Sequence, residues 1–521
     1  MNPLPLLVVL AGALAVTAVA RRLSVSAPLL IVVIGLAFSY VPGLPPIPLN
    51  PDLVLFLVLP PLLYSASLES SALRIRENLR PISLLAVGLV VFTAAVVGLT
   101  AWFVVPTLPL ASALVVGAVI APPDAVAAAS IGRRLGLQRR VMTILEGESL
   151  LNDATALTLF RVLLAAALGT GATIGGGLGE FALAAVGGTL FGAAVGWLIH
   201  RVRLVLGDAV LESAVGLVVP FGVYALAEDL LHVSGVLAVV IAGLYLGHKA
   251  TEGGFATRLQ DQAVWKALDT LLESLVFALI GLQLSVVVRG LSLPFTSVLA
   301  ASAAVLAATI VSRFVWVFPA TYLTRLVPRV RNRDPSPSWR VPTVISWAGM
   351  RGVVTLAGAF AVPQAAAGHD VILFLAFVVT IGTLLLQGLT LPTLINRLGV
   401  YDSGGAQDAL SEAAAKQAAA EAALGRLDEL AADAEHPVPD HITHQLRSWA
   451  EQRSNGAWER LGRPAEEIGE APSVAFTRLR RAMLSAERDT FVRFRDQNRI
   501  DDSVLREMLR ELDYEEAMLD R

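Results

Sequence analysis

The residues best placed to do chemistry lie in one short run, Glu146-Gly147-Glu148-Ser149-Leu150-Leu151-Asn152-Asp153-Ala154, set inside a long apolar stretch. On a helix, Ser149 and Asp153 are four apart and share a face, and Glu148 and Asn152 share the neighbouring one. A carboxylate with a hydroxyl one turn below it is a partial shell for a hard monovalent cation, which prefers oxygen ligands. The plainer alternative is that the pair only hydrogen-bonds between packed helices. A charge deep in an apolar span costs roughly 2.5 kcal/mol or more, so those that persist there are candidate functional groups. They are Asp124, Glu146, Glu148, Asp153, Arg161, Glu273, Arg313 and Arg351. Of these, Arg161 and Arg313 read as snorkelling or helix-bridging groups. Glu273 reads as a partner in an interhelical hydrogen bond, and Glu146 has no assignable role.

Two interruptions must position these groups. In Ala121-Pro122-Pro123-Asp124-Ala125-Val126 two adjacent prolines remove two amide donors and clash with the preceding turn, so the helix must break. Broken backbone at membrane depth survives only where it lines a cavity or is buried in protein. Asp124 then starts the second half-helix, whose positive dipole end favours a carboxylate. The run Trp347-Ala348-Gly349-Met350-Arg351-Gly352 is a comparable interruption.

The elements carrying these motifs are membrane spans. Apolar residues make up 55% of the chain and charged ones 16%, against about 25% charged in a soluble domain. Stretches of about 18 apolar residues recur, each able to cross a hydrocarbon layer of roughly 30 Å. Hydropathy gives about thirteen spans, at 4–20, 27–42, 52–68, 82–106, 109–131, 140–168, 178–200, 209–230, 233–248, 264–289, 294–324, 341–363 and 370–397. Alternate loops hold the basic residues: Arg21 and Arg22; Arg74, Arg76 and Arg80; Arg133, Arg134, Arg139 and Arg140; Arg201 and Arg203; Lys249 and Arg258; then Arg325, Arg329, Arg331, Arg333 and Arg340. The other loops hold almost none besides Arg289, which puts the N-terminus outside and the C-terminus in the cytoplasm. The two interrupted spans are the fifth and the twelfth. Their offset suits two inverted six-span repeats joined by the seventh span, with discontinuous helices crossing at the bilayer midplane. The expected fold is therefore an all-α polytopic membrane protein with a transmembrane domain over 1–400. A helical cytoplasmic domain is expected over 401–521, where the apolar runs stop and the charge balance turns acidic. Gly404-Gly405 and His436-Pro437-Val438-Pro439 punctuate that tail, which reads either as a packing or oligomerisation appendage or as a pH or partner sensor. Without cysteines there are no disulfides or thiolate sites, and the histidines form no metal-spaced cluster. No phosphate loop, dinucleotide fingerprint or nucleic-acid motif occurs.

The run Gly147 to Asp153 closely resembles the signature of cation/proton antiporter family 1, which includes the animal sodium/proton exchangers and the bacterial NhaP-type antiporters. Pro122-Pro123-Asp124-Ala125-Val126 resembles that family's Asp-containing unwound stretch, and Trp347 to Gly352 its arginine-bearing crossover. The resemblance implies a secondary transporter, not an enzyme, in a bacterial inner membrane and assembled as a homodimer. It would need no cofactor and would carry Na+ and H+. By matching positions, Asp153 would be the main cation and proton carboxylate, with Asp124, Ser149 and a backbone carbonyl near Pro123 completing the shell. Asn152 would steady the crossover, and Glu148 would pair with Arg351 as a structural bridge. Pro123 stands where a hydroxyl residue is usual, so only its backbone oxygen can serve. Ser65 stands where several members have a carboxylate and would give a neutral oxygen.

A single carboxylate that binds either a proton or Na+ couples the two ions, and the uncharged Asn152 beside it implies electroneutral one-for-one exchange by alternating access, in the service of pH and sodium homeostasis. Li+ transport, a K+/H+ antiporter, a cation channel and an intramembrane aspartyl protease using Asp124 and Asp153 are the rival readings. The last lacks its Gly-x-Gly-Asp pattern.

Overall fold

The computed structural model describes residues 4–23, 25–41, 54–169, 174–291, 294–402, 405–432, 439–459, 472–497 and 499–519. The chain divides into two compact units, Met1–Tyr401 and Asp402–Arg521. Among the described residues both are helical, without strands.

The first unit runs α1 (Leu4–Arg22), α2 (Ala27–Phe38), α3 (Leu59–Glu69, entered through a π-turn at Val54–Val58), α4 (Val90–Val104, led in by Leu79–Leu89), α5 (Leu110–Ile120), α6 (Ala125–Leu135) and α7 (Arg139–Ala167). It continues with α8 (Ile174–Leu206), α9 (Ala209–Ala225), α10 (Gly235–Lys249), α11 (Phe255–Leu282), α12 (Phe295–Tyr322), α13 (Arg340–Trp347), α14 (Val353–Phe360) and α15 (His369–Leu398). Among the described residues nine segments are long and apolar enough to cross a membrane. The remaining expected crossings, at 27–42, 52–68, 233–248 and 341–363, fall on shorter helices or on the interrupted pair α13 and α14.

Local sequence explains the ends. Pro60 and Pro61 open α3, where a missing amide costs nothing. Asp208 caps α9 by accepting from the amides of Val210 and Leu211, and Ser234 caps α10 by accepting from that of Leu237. Gly136 ends α6 in the left-handed conformation.

The helices sort into two bundles by packing. In one, α4 lies against α5 and α12, α5 against α7, and α15 against α5, α6, α12 and α14; in the other, α2 and α1 lie on α11, α3 on α10, and α8 on α10. Water cannot drive helices together inside a lipid-like interior, so close backbone approach matters. A side chain at Gly117 in α5 would strike the backbone of Ala94 in α4, and Gly35 of α2 meets Gly281 of α11 backbone to backbone. The bundles meet where α7 touches α3, α8 and α10 and where α11 touches α14.

The second unit comprises α16 (Gly405–Ala431), α17 (Asp440–Glu459), α18 (Pro472–Asp496) and α19 (Asp502–Leu519). Here α16 packs on α17 and α18 on α19, the latter pair joined by Arg488 to Asp513 and Glu516. The expected breaks at Gly404 and at residues 436–438 lie outside the described residues.

Candidate functional site

The double-proline break separates α5 from α6, and the glycine-flanked break separates α13 from α14. The two breaks cross. The amide of Asp124 donates to the Met350 carbonyl at 2.7 Å, joining them backbone to backbone. Gly352 lies so close to the Asp124 carboxylate that a β-carbon there would overlap it. Each freed helix end is met by a complementary charge. Asp124 Oδ1 accepts from the amide of Val126 at 2.8 Å, at the positive end of α6. The Arg351 guanidinium donates to the carbonyl of Ile120, the last residue of α5, at 2.6 Å, and to that of Gly349, just past α13, at 2.6 Å. Its backbone amide is held by Thr383 of α15 at 2.9 Å. A third freed group, the Pro123 carbonyl, accepts from Asn152 Nδ2 at 2.7 Å, so Asn152 ties α7 directly to the unwound stretch.

Asp153 and Ser149 lie on α7 facing this crossing. The Ser149 hydroxyl accepts from the amide of Ala125 at 3.3 Å, at the start of α6. Asp153 is 6% exposed, and its carboxylate has no hydrogen-bond or ion-pair partner among the described residues. A buried carboxylate is ordinarily paired or hydrogen-bonded, since burying it bare is costly.

The expected bridge between Glu148 and Arg351 does not form. Glu148 instead makes a bidentate pair with Arg313 of α12, at 2.5 and 2.7 Å, with both residues 1% exposed. Arg313 also donates through Nε to the Ile345 carbonyl of α13 at 3.0 Å. The reason is commitment: the Arg351 guanidinium is taken by the helix ends that it caps, and Arg313 of α12 reaches Glu148 instead. Arg161 bridges to Glu228 at 2.6 Å. Glu146, left without a role, pairs with Arg133 at 2.9 Å.

Asp124, Ser149, Asp153 and the Pro122-Pro123 stretch line a cavity of about 230 Å³. Its far wall comes from the other bundle. Ser65 of α3 donates its hydroxyl to Asp269 Oδ2 of α11 at 2.5 Å, while Asp269 Oδ1 is buried without a partner. Glu273, one turn along α11, lines the cavity as well. The interhelical hydrogen bond expected of Glu273 is absent among the described residues; its neighbour Ser274 makes one, to Thr17 at 2.9 Å. Thr355 of α14 also lines the cavity, its hydroxyl buried and unpartnered. Glu69, Ser70 and Arg133, at or near the ends of α3 and α6, border the cavity toward the loops rich in arginine. Sequence reasoning missed Asp269 and Thr355. The four-residue spacing of Asp269 from Glu273 on one helix face was the available signal for the first; Thr355 offered none.

A helical membrane bundle with two crossed, charge-capped helix breaks and a small acidic cavity at their crossing has the architecture of a secondary transporter. Known proteins agree. Residues 7–397 match the transmembrane sodium/hydrogen exchanger family. An uncharacterised Na+/H+ exchanger of Mycobacterium tuberculosis is 33% identical over 518 residues, covering 96% of this chain and 93% of that protein. The Na+/H+ antiporter ApNhaP of Aphanothece halophytica is 33% identical over 408 residues, 77% of this chain and 75% of its own. The sodium proton antiporter MjNhaP1 of Methanocaldococcus jannaschii shares the fold, with a TM-score of 0.60 at 19% identity over 75% of this chain and 97% of its own. The chain belongs to the sodium/hydrogen exchanger family, a family of transporters rather than enzymes.

Proposed function

We propose that the protein exchanges Na+ for H+, one for one, with Asp153 as the group that both ions share. The reading is carried by the Asp153 carboxylate, buried at the crossing of two helix breaks, in a cavity, with no partner among the described residues. Such a group is neutralised either by a proton or by a monovalent cation, and occupancy by one excludes the other. Asp124, Ser149 and the second lone pair of the Pro123 carbonyl supply further oxygens around the ion. The free hydroxyl of Thr355 adds the side-chain oxygen that Pro123 cannot. Asn152, Arg351 and the Glu148–Arg313 pair hold the frame.

The cavity borders Glu69, Arg133 and Glu146, on the side of the arginine-rich loops, which the distribution of basic residues assigns to the cytoplasm. The described conformation is then the one open inward, with Asp269 and Glu273 on the wall of the access path. Alternating access would move the bundle of α4–α7 and α12–α15 against the other. The expected test outcome is that Asp153→Asn, reconstituted in proteoliposomes, loses Na+-dependent proton movement to background while its elution profile in detergent stays that of the native protein. Retained exchange would remove Asp153 from its role. A panel of Na+, Li+ and K+ gradients on the unaltered protein reads the ion preference directly.

A further inference from the structure

A second cavity, of about 140 Å³, lies away from the ion site, where the ends of three candidate spans meet. Arg80 is in the first turn of Leu79–Val104, Arg140 in the first turn of Arg139–Ala167, and Arg325 in the last turn of Ser297–Leu326. All three line this cavity. One carboxylate answers them: Asp334 bonds Arg80 at 2.8 Å, Arg140 at 2.7 Å and Arg325 at 2.6 Å. Two positive charges are left over. Against the burial that pushes it up, the hydrogen bonds from Arg140 and Arg325 hold the Asp334 carboxyl below its ordinary range, so it stays an anion at neutral pH.

The donors are not used up. Each nitrogen of Arg325 is engaged, by Asp334 or by the Thr321 carbonyl. Arg140 spends Nε on Asn78 and one terminal nitrogen on Asp334, and Arg80 spends one terminal nitrogen. Arg140 Nη1 and Arg80 Nε and Nη1 have no partner among the described residues. Their side chains are 47% and 33% exposed, against 7% for Arg325, so the cavity is charged and open at one end. Behind the arginines it is apolar, lined by Leu85, Ile144, Val317 and Ile345.

We infer that this cavity is a binding site for an acidic phospholipid, its phosphodiester held by Arg80 and Arg140 beside Asp334 and the start of an acyl chain lying on the apolar wall. A phosphate oxygen matches the two free guanidinium edges, which pair with it through charge-assisted hydrogen bonds. The three span ends set the depth at which headgroups lie, and a basic pocket between spans at that depth suits an anionic headgroup. A free phosphate shares the headgroup chemistry but has nothing to place against the apolar wall. The site also reaches the transport frame: Ile345 lines it, and the Ile345 carbonyl accepts from Arg313, the partner of Glu148. Its occupancy is nevertheless read by binding alone, independently of whether Asp153 carries ions.

The test uses the full-length protein in an uncharged detergent, followed by thermal unfolding with added phosphatidylglycerol, phosphatidylcholine or inorganic phosphate. A species that binds only the folded protein raises its melting temperature. Phosphatidylglycerol is expected to raise it by several degrees and the other two not. Arg80→Gln and Arg140→Gln should each weaken the affinity about tenfold, while Arg289→Gln, at the end of the helix Leu284–Arg289 and outside this cavity, keeps it. An equal rise with phosphatidylcholine, or a phosphatidylglycerol response that both arginine variants retain, overturns the proposal. A full response to inorganic phosphate alone reassigns the site to soluble anions and overturns the lipid. Should a variant not fold, native mass spectrometry of the unaltered protein decides: it should keep one phosphatidylglycerol per chain under activation that strips phosphatidylcholine, and loss of both together rejects the site.

Discussion

At the residue scale, the ion site is a set of oxygens of unequal freedom. Asp124 is committed on one oxygen to the Val126 amide, and Ser149 touches the Ala125 amide, so both are positioned by the start of α6. Asp153 is committed to nothing among the described residues. Across the cavity Asp269 is oriented by Ser65, with one oxygen left over. A cleft whose charges are mostly of one sign concentrates counter-ions before they reach the inner site, by about tenfold or more. Asp269→Asn should therefore raise the half-saturating Na+ concentration on the cytoplasmic side about tenfold, with the maximal rate little changed. Initial rates of proton release in everted vesicles over a Na+ series separate the two parameters. A fall in maximal rate at unchanged half-saturation would place Asp269 in the chemistry instead of the approach. The chemistry-bearing run around Asp153 was legible in sequence because a carboxylate in an apolar span is conspicuous by itself. Asp269 was not, because its meaning comes from Ser65, 204 positions away, and from a cavity formed by two bundles.

At the scale of elements, the breaks were legible because their causes are local: Pro122-Pro123 cannot continue a helix, and Gly349 and Gly352 let one stop. What the breaks are held by was not. Arg351 and Arg313 look alike in sequence, and only the packing of α12 against α13 gives Glu148 to Arg313. That pair is enclosed, so its loss is lopsided. Removing one partner leaves a bare buried charge, which costs roughly 3–5 kcal/mol, whereas replacing both with uncharged side chains of similar size costs less. Arg313→Met alone, or Glu148→Gln alone, is expected to unfold well below the native temperature in detergent, and the double variant to recover most of the difference. Fluorescence-monitored melting of the four proteins measures the coupling. Additive losses would mean that the two side chains do not act as a pair.

For the whole molecule, the count of mobile charges decides whether transport senses voltage. At the crossing of the two breaks, the charges other than Asp153 are tied to the frame, while Asp269 and Glu273 belong to the other bundle. Glu148 is neutralised by Arg313, Arg351 caps α5, and Asp124 caps α6. Asn152, beside the carrier carboxylate, is neutral and is bound to the Pro123 carbonyl. If the frame moves as a body, its fixed charges make the same displacement loaded with Na+ as loaded with H+, and the carboxylate is neutralised in both cases. The net charge carried per cycle is then zero. Moving one elementary charge through the membrane field is worth about 2.3 kcal/mol per 100 mV, so even one uncompensated charge would change the rate steeply. Exchange in proteoliposomes clamped at zero potential should proceed at the same rate under a potassium–valinomycin potential of either sign, provided the K+ arm of the ion panel shows no K+ transport. A rate that follows the imposed potential would mean that a second group, Asp124 or Glu273, changes its protonation during the cycle. Asp124→Asn and Glu273→Gln, tested for loss of that voltage dependence, would then identify which.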